Sequence, residues 1–325
     1  MSITRNLLRT IVSTRQFHLS SRLNIDPKTV EEVRIPVPWG HVAGKRWGDK
    51  TSQPIIALHG QLDSSSSFDK LLPLIDAPSV LCLDITGHGL SSHTPKGLSI
   101  YFTDNIIRLR YILKYFYKWE KDLIFLGHSF GSSILFNYAA IYPDEVSKMI
   151  NIDCARFRSA INVKKFVQKT KESIEHFLNS EKHHDTIESG YSFEDCVNHM
   201  MATRASLNLA VSEEGCRILC SRGASNMGNG KYYFTHDRRS KEPSFNRNTP
   251  QFNLALAGNI KCSVLNIHAT GGINIKNYEA EENKQIKIMK ENAKYCENLI
   301  LEGTHHIHLE TPEVVAPHIN KFLKS

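Results

Sequence analysis

Five residues, Gly127-His128-Ser129-Phe130-Gly131, set a serine hydroxyl between two glycines. An apolar stretch of strand type, Asp122 to Leu126, runs into them, and Ser132 to Ala140 repeats its apolar residues at helical spacing after them. Strand, sharp turn and helix form the setting of a G-x-S-x-G nucleophile elbow, which lifts a serine hydroxyl above the end of a sheet. The turn strains the backbone at Ser129, and the two glycines let strand and helix approach closely. Acyl chemistry at a serine needs a base for its proton and donors for the anion that forms on the attacked carbonyl. The Phe130 N–H stands beside the serine. A second apolar run, Pro54 to Leu58, ends in His59-Gly60-Gln61, and the Gln61 N–H is the other donor expected in such an oxyanion hole. Three histidines, His305, His306 and His308, follow the last strand-like segment, and Asp153 follows the one after the elbow helix. The same three histidines could instead bind a metal, but the sequence shows no second His/Asp cluster or H-x-x-x-H helix beside them. Asp63, ahead of four serines, reads as a helix cap rather than a catalytic acid. Gly87-x-Gly89 lacks the third glycine and the following helix of a phosphate loop, and a tight loop held by Asp84 accounts for it better.

The elements needed to position these residues alternate. Val30–Pro38 and His41–Trp47 read as an antiparallel entry to a sheet, joined by a Pro-Trp-Gly turn. Strands follow over 54–58, 79–84, 122–126 and 146–152, with an amphipathic helix over 103–117. From about Ala155 the alternation stops. Residues 156–250 read as helical and polar, with Phe166, Ile174, Phe177 and Leu178 on one face and a loop-like stretch at Gly223–Tyr232. Alternation resumes with a strand over 261–268, a charged helix over 278–296, a strand over 297–301 and a final helix, Pro312 to Leu323. The expected architecture is an α/β fold with a mostly parallel sheet, helices on both faces and a mainly helical cap insertion. The expected bounds are core over 25–154, cap over 155–255 and core again over 256–325.

With 41% hydrophobic and 22% charged residues the chain has the composition of a globular protein, and no apolar run is long enough to cross a bilayer. Its formal charge is +7, but four of those charges are Arg5, Arg9, Arg15 and Arg22, and without them +3 remains. The basic excess is therefore not a nucleic-acid patch on the domain. Residues 1–24 are rich in Arg and Ser, contain no acid, and set Leu7, Leu8, Ile11 and Val12 on one helical face, the composition of a mitochondrial transit peptide. The run Arg15 to Ser20 resembles a matrix-peptidase site, which sets the expected mature start near Ile25. The seven cysteines are scattered without zinc-ribbon spacing and read as reduced packing residues, Cys216 and Cys220 as neighbours on a helix.

Leu58-His59-Gly60-Gln61-Leu62-Asp63, Asp84-x-x-Gly87-His88-Gly89-x-Ser91, the elbow, and His305-x-x-x-x-Glu310-x-Pro312-Glu313 stand in the order found in the α/β-hydrolase superfamily, which the chain resembles from about residue 30 to its end, thinly across the insertion. The stretches HGQLDSSSSFDKLLPLI and FTHDRRSK resemble most the serine hydrolase-like proteins of the kraken type. The resemblance implies Ser129 as nucleophile and His305, five residues before Glu310, as base, with His306 and His308 as alternatives. The commonest family position for the acid, the loop after 264–268, reads Ala269-Thr270-Gly271-Gly272-Ile273-Asn274 and holds no carboxylate. The other family position is Asp153, with Glu279, Glu281 and Glu282 as alternatives further along. The implied activity is hydrolysis of an ester, thioester or related acyl bond on a small-molecule substrate, without metal or organic cofactor. A C–C bond hydrolase with the same triad and a non-catalytic ligand-binding protein are the rival readings. Dehalogenase and epoxide-hydrolase chemistry is disfavoured, because their elbow carries Asp where this chain has Ser129. A reporter fused to residues 1–30 is expected to enter mitochondria; a reporter that stays in the cytosol would refute the targeting expectation.

Overall fold

A computed structural model of the protein describes residues 29–154, 163–183, 190–241, 248–273 and 279–325. The N-terminal segment expected to be a transit peptide lies outside the described residues, as do the side chains of Phe166, Glu279, Glu281 and Glu282. Eight strands form one sheet: β1 (Val30–Val37), β2 (Gly40–Gly48), β3 (Ile55–Leu58), β4 (Ser79–Leu83), β5 (Leu123–His128), β6 (Val146–Ile152), β9 (Ser263–Gly271) and β10 (Tyr295–Thr304). They lie in the order β1-β2-β4-β3-β5-β6-β9-β10. The first two pairings are antiparallel and the rest parallel. The entry hairpin and the mostly parallel sheet thus match the expectation.

Every residue of β3 and β4 is buried. Their side chains alternate between two cores, with Ile56, Leu58, Leu81 and Leu83 on one face and Ile55, Ala57, Val80 and Cys82 on the other. Helices on both faces make both sets of positions interior, which is why these strands read as continuous apolar runs. One core is covered by α1 (Phe102–Tyr111), α2 (Phe130–Ile141) and α6 (Pro250–Asn259), the other by the final helix, Pro312–Lys324. The helix expected over 103–117 is α-helical only to Tyr111. It widens into a π turn over Ile112–Tyr117, stops at Lys118 with φ 60°, and Tyr117 stacks on Trp119 at 4.0 Å. A chain of amides, buried at Asn151 and Asn266 and half-buried at Asn298, links three neighbouring strands in register: Asn151 on β6 donates to Asn266 on β9 at 2.9 Å, and Asn266 donates to Asn298 on β10 at 2.8 Å.

Between β6 and β9 the described residues hold α3 (Val163–Lys182), α4 (Phe193–Ser206), α5 (Glu213–Gly223) and α6, with a small hairpin of β7 (Ala224–Asn226) and β8 (Tyr232–Phe234). The hairpin occupies the stretch expected to be loop. Its strands are three residues each, too short to show a period of two. Of the expected apolar face of α3, Ile174 and Leu178 are exposed and Phe177 is half-buried, while Ser173 and Ser180 are buried among the described side chains. Buried arginines tie the insertion to the rest of the molecule, beside an apolar cluster that includes Leu309. Arg222 of α5 donates to Asp84 at 2.8 Å and to Glu32 at 2.7 Å. Arg239 pairs with Asp237 and reaches the Pro95 carbonyl. Arg204 of α4 meets Asp63 at 2.6 Å. All seven cysteines are free, and Cys216 and Cys220 are buried together in α5.

The closest backbone approach is at Gly131, where a β-carbon would lie 2.2 Å from the Leu58 carbonyl oxygen. Neither neighbour can yield without breaking the α2–β3 contact. Gly131→Ala is expected to lower stability by about 3 kcal/mol, the upper part of the overpacking range, as read by urea unfolding.

Candidate active site

The C-terminal ends of β3, β5, β6 and β10 meet at one edge of the sheet, where α/β folds gather their chemistry. Ser129 follows β5 directly, with φ 49° and ψ −114°, and is half-buried. An L-residue adopts this backbone only where its surroundings hold it there. The Ser129 N–H donates to the Ile152 carbonyl at 3.0 Å and the Gly131 N–H donates to the His59 carbonyl at 3.0 Å, fixing the turn from both sides. Gly127 is needed as well, since a β-carbon there would lie 2.5 Å from Ser132 Cα. The Phe130 N–H opens α2 and has no intrahelical acceptor.

Asp153 follows β6 and also has positive φ, 48°. Its N–H donates to the Ile267 carbonyl at 2.7 Å. Its carboxylate accepts from the Ala269 N–H at 2.9 Å and the Ile273 N–H at 3.1 Å, and Oδ2 lies 2.5 Å from His305 Nδ1. A carboxylate so held makes His305 Nδ1 the donor and leaves Nε2 as the basic nitrogen. Burial pushes the His305 imidazole below its ordinary value of 6.5, and the Asp153 hydrogen bond pulls against that shift. The loop after β9, which lacks a carboxylate, packs its backbone against Asp153 instead. A β-carbon on Gly272 would fall 2.2 Å from Asp153 Oδ1. The missing side chain in one loop is the space that the acid from the neighbouring strand occupies.

His306 and His308 go elsewhere. His306 Nε2 is 3.1 Å from Asp63 Oδ2, and the His308 ring packs 4.9 Å from Phe68 and 4.1 Å from His128. Burial and the neighbouring histidines push the His308 imidazole far down, so it is neutral. Asp63 is not a helix cap: the 3-10 turn Ser65–Phe68 begins after Ser64, and the Asp63 carboxylate points inward to Arg204 and His306. Burial works against its charge, but Arg204 and the histidines outweigh it and hold the carboxyl far below the usual carboxylate range. Asp63, His128 and His306 bring ligand atoms within 4.8 Å of one another, the arrangement among the described residues that could hold a metal. A cation there would compete with Arg204 for Asp63.

The Gln61 side chain donates to the Ser240 carbonyl at 2.7 Å, tying the turn after β3 to the insertion. The same turn is shaped by His59, whose Nδ1–H donates to the Gly60 carbonyl at 2.7 Å while Nε2 accepts from the Ile85 N–H at 3.0 Å. Asp84 accepts from the Ser65 and Leu90 N–H groups, as the tight loop after β4 requires, and also from Arg222. Sequence reasoning missed His59, His128 and Arg204. The first two stood inside the motifs as unremarked letters, and nothing local marks Arg204 among the polar residues of its helix. An open groove lined by Gln53, Pro54, Lys118 and Trp119 lies at the opposite end of the strands and holds no serine, histidine or cysteine.

Residues 53–312 match the family model of the alpha/beta hydrolase fold. A probable serine hydrolase of Drosophila melanogaster is 38% identical over 90% of this chain and 88% of its own length. A serine hydrolase-like protein of Mus musculus is 30% identical over 90% of this chain and 95% of its own. Among solved structures, a hypothetical protein of Pseudomonas aeruginosa PAO1 superposes with a TM-score of 0.78 at 26% identity, over 90% of this chain and 99% of that one. No helix among the described residues is long and apolar enough to cross a membrane. The chain belongs to the α/β-hydrolase fold family and, within it, to the serine hydrolase-like proteins.

Proposed function

We propose that the protein is a serine hydrolase that cleaves an ester, thioester or related acyl bond through an acyl-enzyme. The observation that carries this reading is the 2.5 Å contact between Asp153 Oδ2 and His305 Nδ1, at the same edge of the sheet as a serine with φ 49°. His305 Nε2 takes the Ser129 hydroxyl proton as the oxygen attacks the acyl carbon. The carbonyl π electrons move to oxygen, where the N–H groups of Gln61 and Phe130 stabilise the anion. Asp153 keeps the imidazole in the productive tautomer and stabilises the imidazolium. Collapse expels the alcohol or thiol with the proton from His305. Water then repeats the sequence on the acyl-enzyme, releasing the acid and restoring Ser129. The helical insertion over 155–255 acts as a cap, a role supported by its bonds to Asp63 and, through Ser240, to Gln61. The N-terminal segment supports a mitochondrial location.

Ser129→Ala is expected to fold and to lose both turnover and labelling by a fluorophosphonate probe; retained turnover would end the reading. Asp153→Asn keeps the shape but favours the wrong tautomer, and is expected to lower kcat by about ten-thousand-fold with a smaller effect on KM. His305→Ala should cost far more than His306→Ala or His308→Ala, since of these three histidines only His305 bonds to Asp153.

The base must be neutral to accept a proton. Because burial lowers the His305 value, activity should persist as pH falls through 6.5 and be lost only below it. A kcat/KM profile whose acid limb has its midpoint above 6.5 would contradict this.

A further inference from the structure

Asp63 is 5% exposed, and a buried carboxylate is tolerated only where partners surround it. Groups from four separate parts of the molecule meet around it, and two of them, His306 and Arg204, bond to the carboxylate. Its own N–H donates to the Gly60 carbonyl at 3.2 Å, closing the turn that carries Gln61, and Leu62 within that turn has φ 61°. His306 Nε2, next to the catalytic histidine, meets Oδ2 at 3.1 Å. His128 Nδ1, next to the nucleophile, lies 3.7 Å from the same oxygen. The other nitrogen of His128, Nε2, lies 3.0 Å from the His305 carbonyl oxygen and donates to it, so the strand carrying Ser129 holds the backbone of His305 directly. The fourth partner is Arg204, whose Nη2 meets Oδ1 at 2.6 Å and the Leu62 carbonyl at 3.4 Å. Arg204 is 8% exposed and belongs to α4, in the insertion.

The cluster is thus one buried anion whose full positive charge arrives from outside the hydrolase core. A carboxylate stripped of its cation in such a place must take a proton, draw one onto a histidine, or swing toward water. Each of these moves the Gly60–Asp63 turn or the His305–His306 loop. We propose that Arg204 is a positioning residue for catalysis: by neutralising Asp63 it holds the oxyanion turn, the nucleophile strand and the catalytic-histidine loop in one arrangement, so that docking of α4 sets the reactivity of Ser129. The inference rests on the hydrolase reading above. It explains why Arg204 should affect the chemistry although it touches none of the groups assigned to the reaction.

The charge arrangement gives a readout that a purely structural role would not move. His305 faces Asp153 after β6, His128 at the end of β5, His306 and His308 from its own segment, and Asp63 from the turn after β3, with Arg204 behind it. Removing the Arg204 charge leaves Asp63 as an unbalanced anion, which favours the imidazolium of His305 and raises the pH at which the base is lost. Removing the Asp63 charge leaves Arg204 unbalanced and lowers it.

The test is the rate of fluorophosphonate labelling of Ser129 against pH, with kcat and KM for p-nitrophenyl butyrate, on the full chain and on Arg204→Met, Arg204→Lys, Asp63→Asn and the double variant Arg204→Met/Asp63→Asn, each checked for folding by circular dichroism. Arg204→Met is expected to label roughly ten to a hundred times more slowly, as a misplaced catalytic group would, with KM changed less than kcat. Its acid-limb midpoint should move up and that of Asp63→Asn down. Arg204→Lys should recover much of the rate, and the double variant should return the midpoint toward that of the natural chain. If Arg204→Met does not fold, Arg204→Lys and the double variant, neither of which leaves a bare charge, carry the same comparison. Variants that label at the unaltered rate with unmoved midpoints would overturn the positioning role while leaving the hydrolase reading intact. A natural chain that does not label would remove both. Inactivation of the natural chain by chelator, reversed by zinc, would also overturn the proposal, since Asp63 would then serve a metal and not Arg204.

Discussion

The backbone at Ser129 is held in a conformation that costs of order 1–3 kcal/mol, and much of the molecule can be understood as the apparatus that keeps it there. The Ile152 carbonyl receives the Ser129 N–H from the neighbouring strand, and the His59 carbonyl receives the Gly131 N–H from the other side. These bonds need β3, β5 and β6 to end level with one another, which the parallel pairing of Leu58 with Gly127 and of His128 with Ile152 provides. Asp153 and Leu62 repeat the pattern at φ 48° and 61°. Of six non-glycine residues with positive φ among the described residues, these three cluster at one edge of the sheet, and the cluster marks the site independently of any motif.

The sheet and the site differ in how openly the sequence declares them. Buried parallel strands such as Ile55–Leu58 and Ser79–Leu83 must be apolar at every position, and a run of that kind between turn residues has few other meanings. The elbow is legible for a related reason: only small residues fit at Gly127 and Gly131, so the geometry is written in residue type. The pairing of Asp153 with His305 is less open, because it joins residues 152 positions apart through the end of a sheet. What made it readable was subtraction, since Ala269–Asn274 offers no carboxylate. The absence proved to be structural as well, because Gly272 leaves the room that Asp153 fills.

The insertion was harder to read because buried charge fastens it alongside its own apolar cluster, which packs on Leu309. Ile174 and Leu178 follow helical spacing yet face water, while Arg204, Arg222 and Arg239 are each less than a tenth exposed. Periodicity reports apolar faces and says nothing of long cationic side chains such as Arg204 and Arg222, whose carboxylate partners lie more than a hundred residues away. The same point explains Asp63. A short polar side chain ahead of serines has the local signature of a cap, and its inward turn follows from Arg204, far along the chain.

The amide ladder Asn151–Asn266–Asn298 has a consequence for the chain while it is being made. Asn266 is 115 residues after Asn151, so at 5–20 residues per second the edge of β6 waits roughly 6–23 s for its partner strand. Throughout that interval β6 presents the unpaired edge of Met149, Ile150 and Ile152, the kind of surface that recruits wrong strands. An asparagine in the middle of that edge makes a wrong pairing bury an amide with nothing to bond. The polar residue that looks out of place in the finished core finds its acceptor, Asn266 Oδ1, in the register of the finished sheet, and a strand offering no acceptor there would leave its amide unbonded.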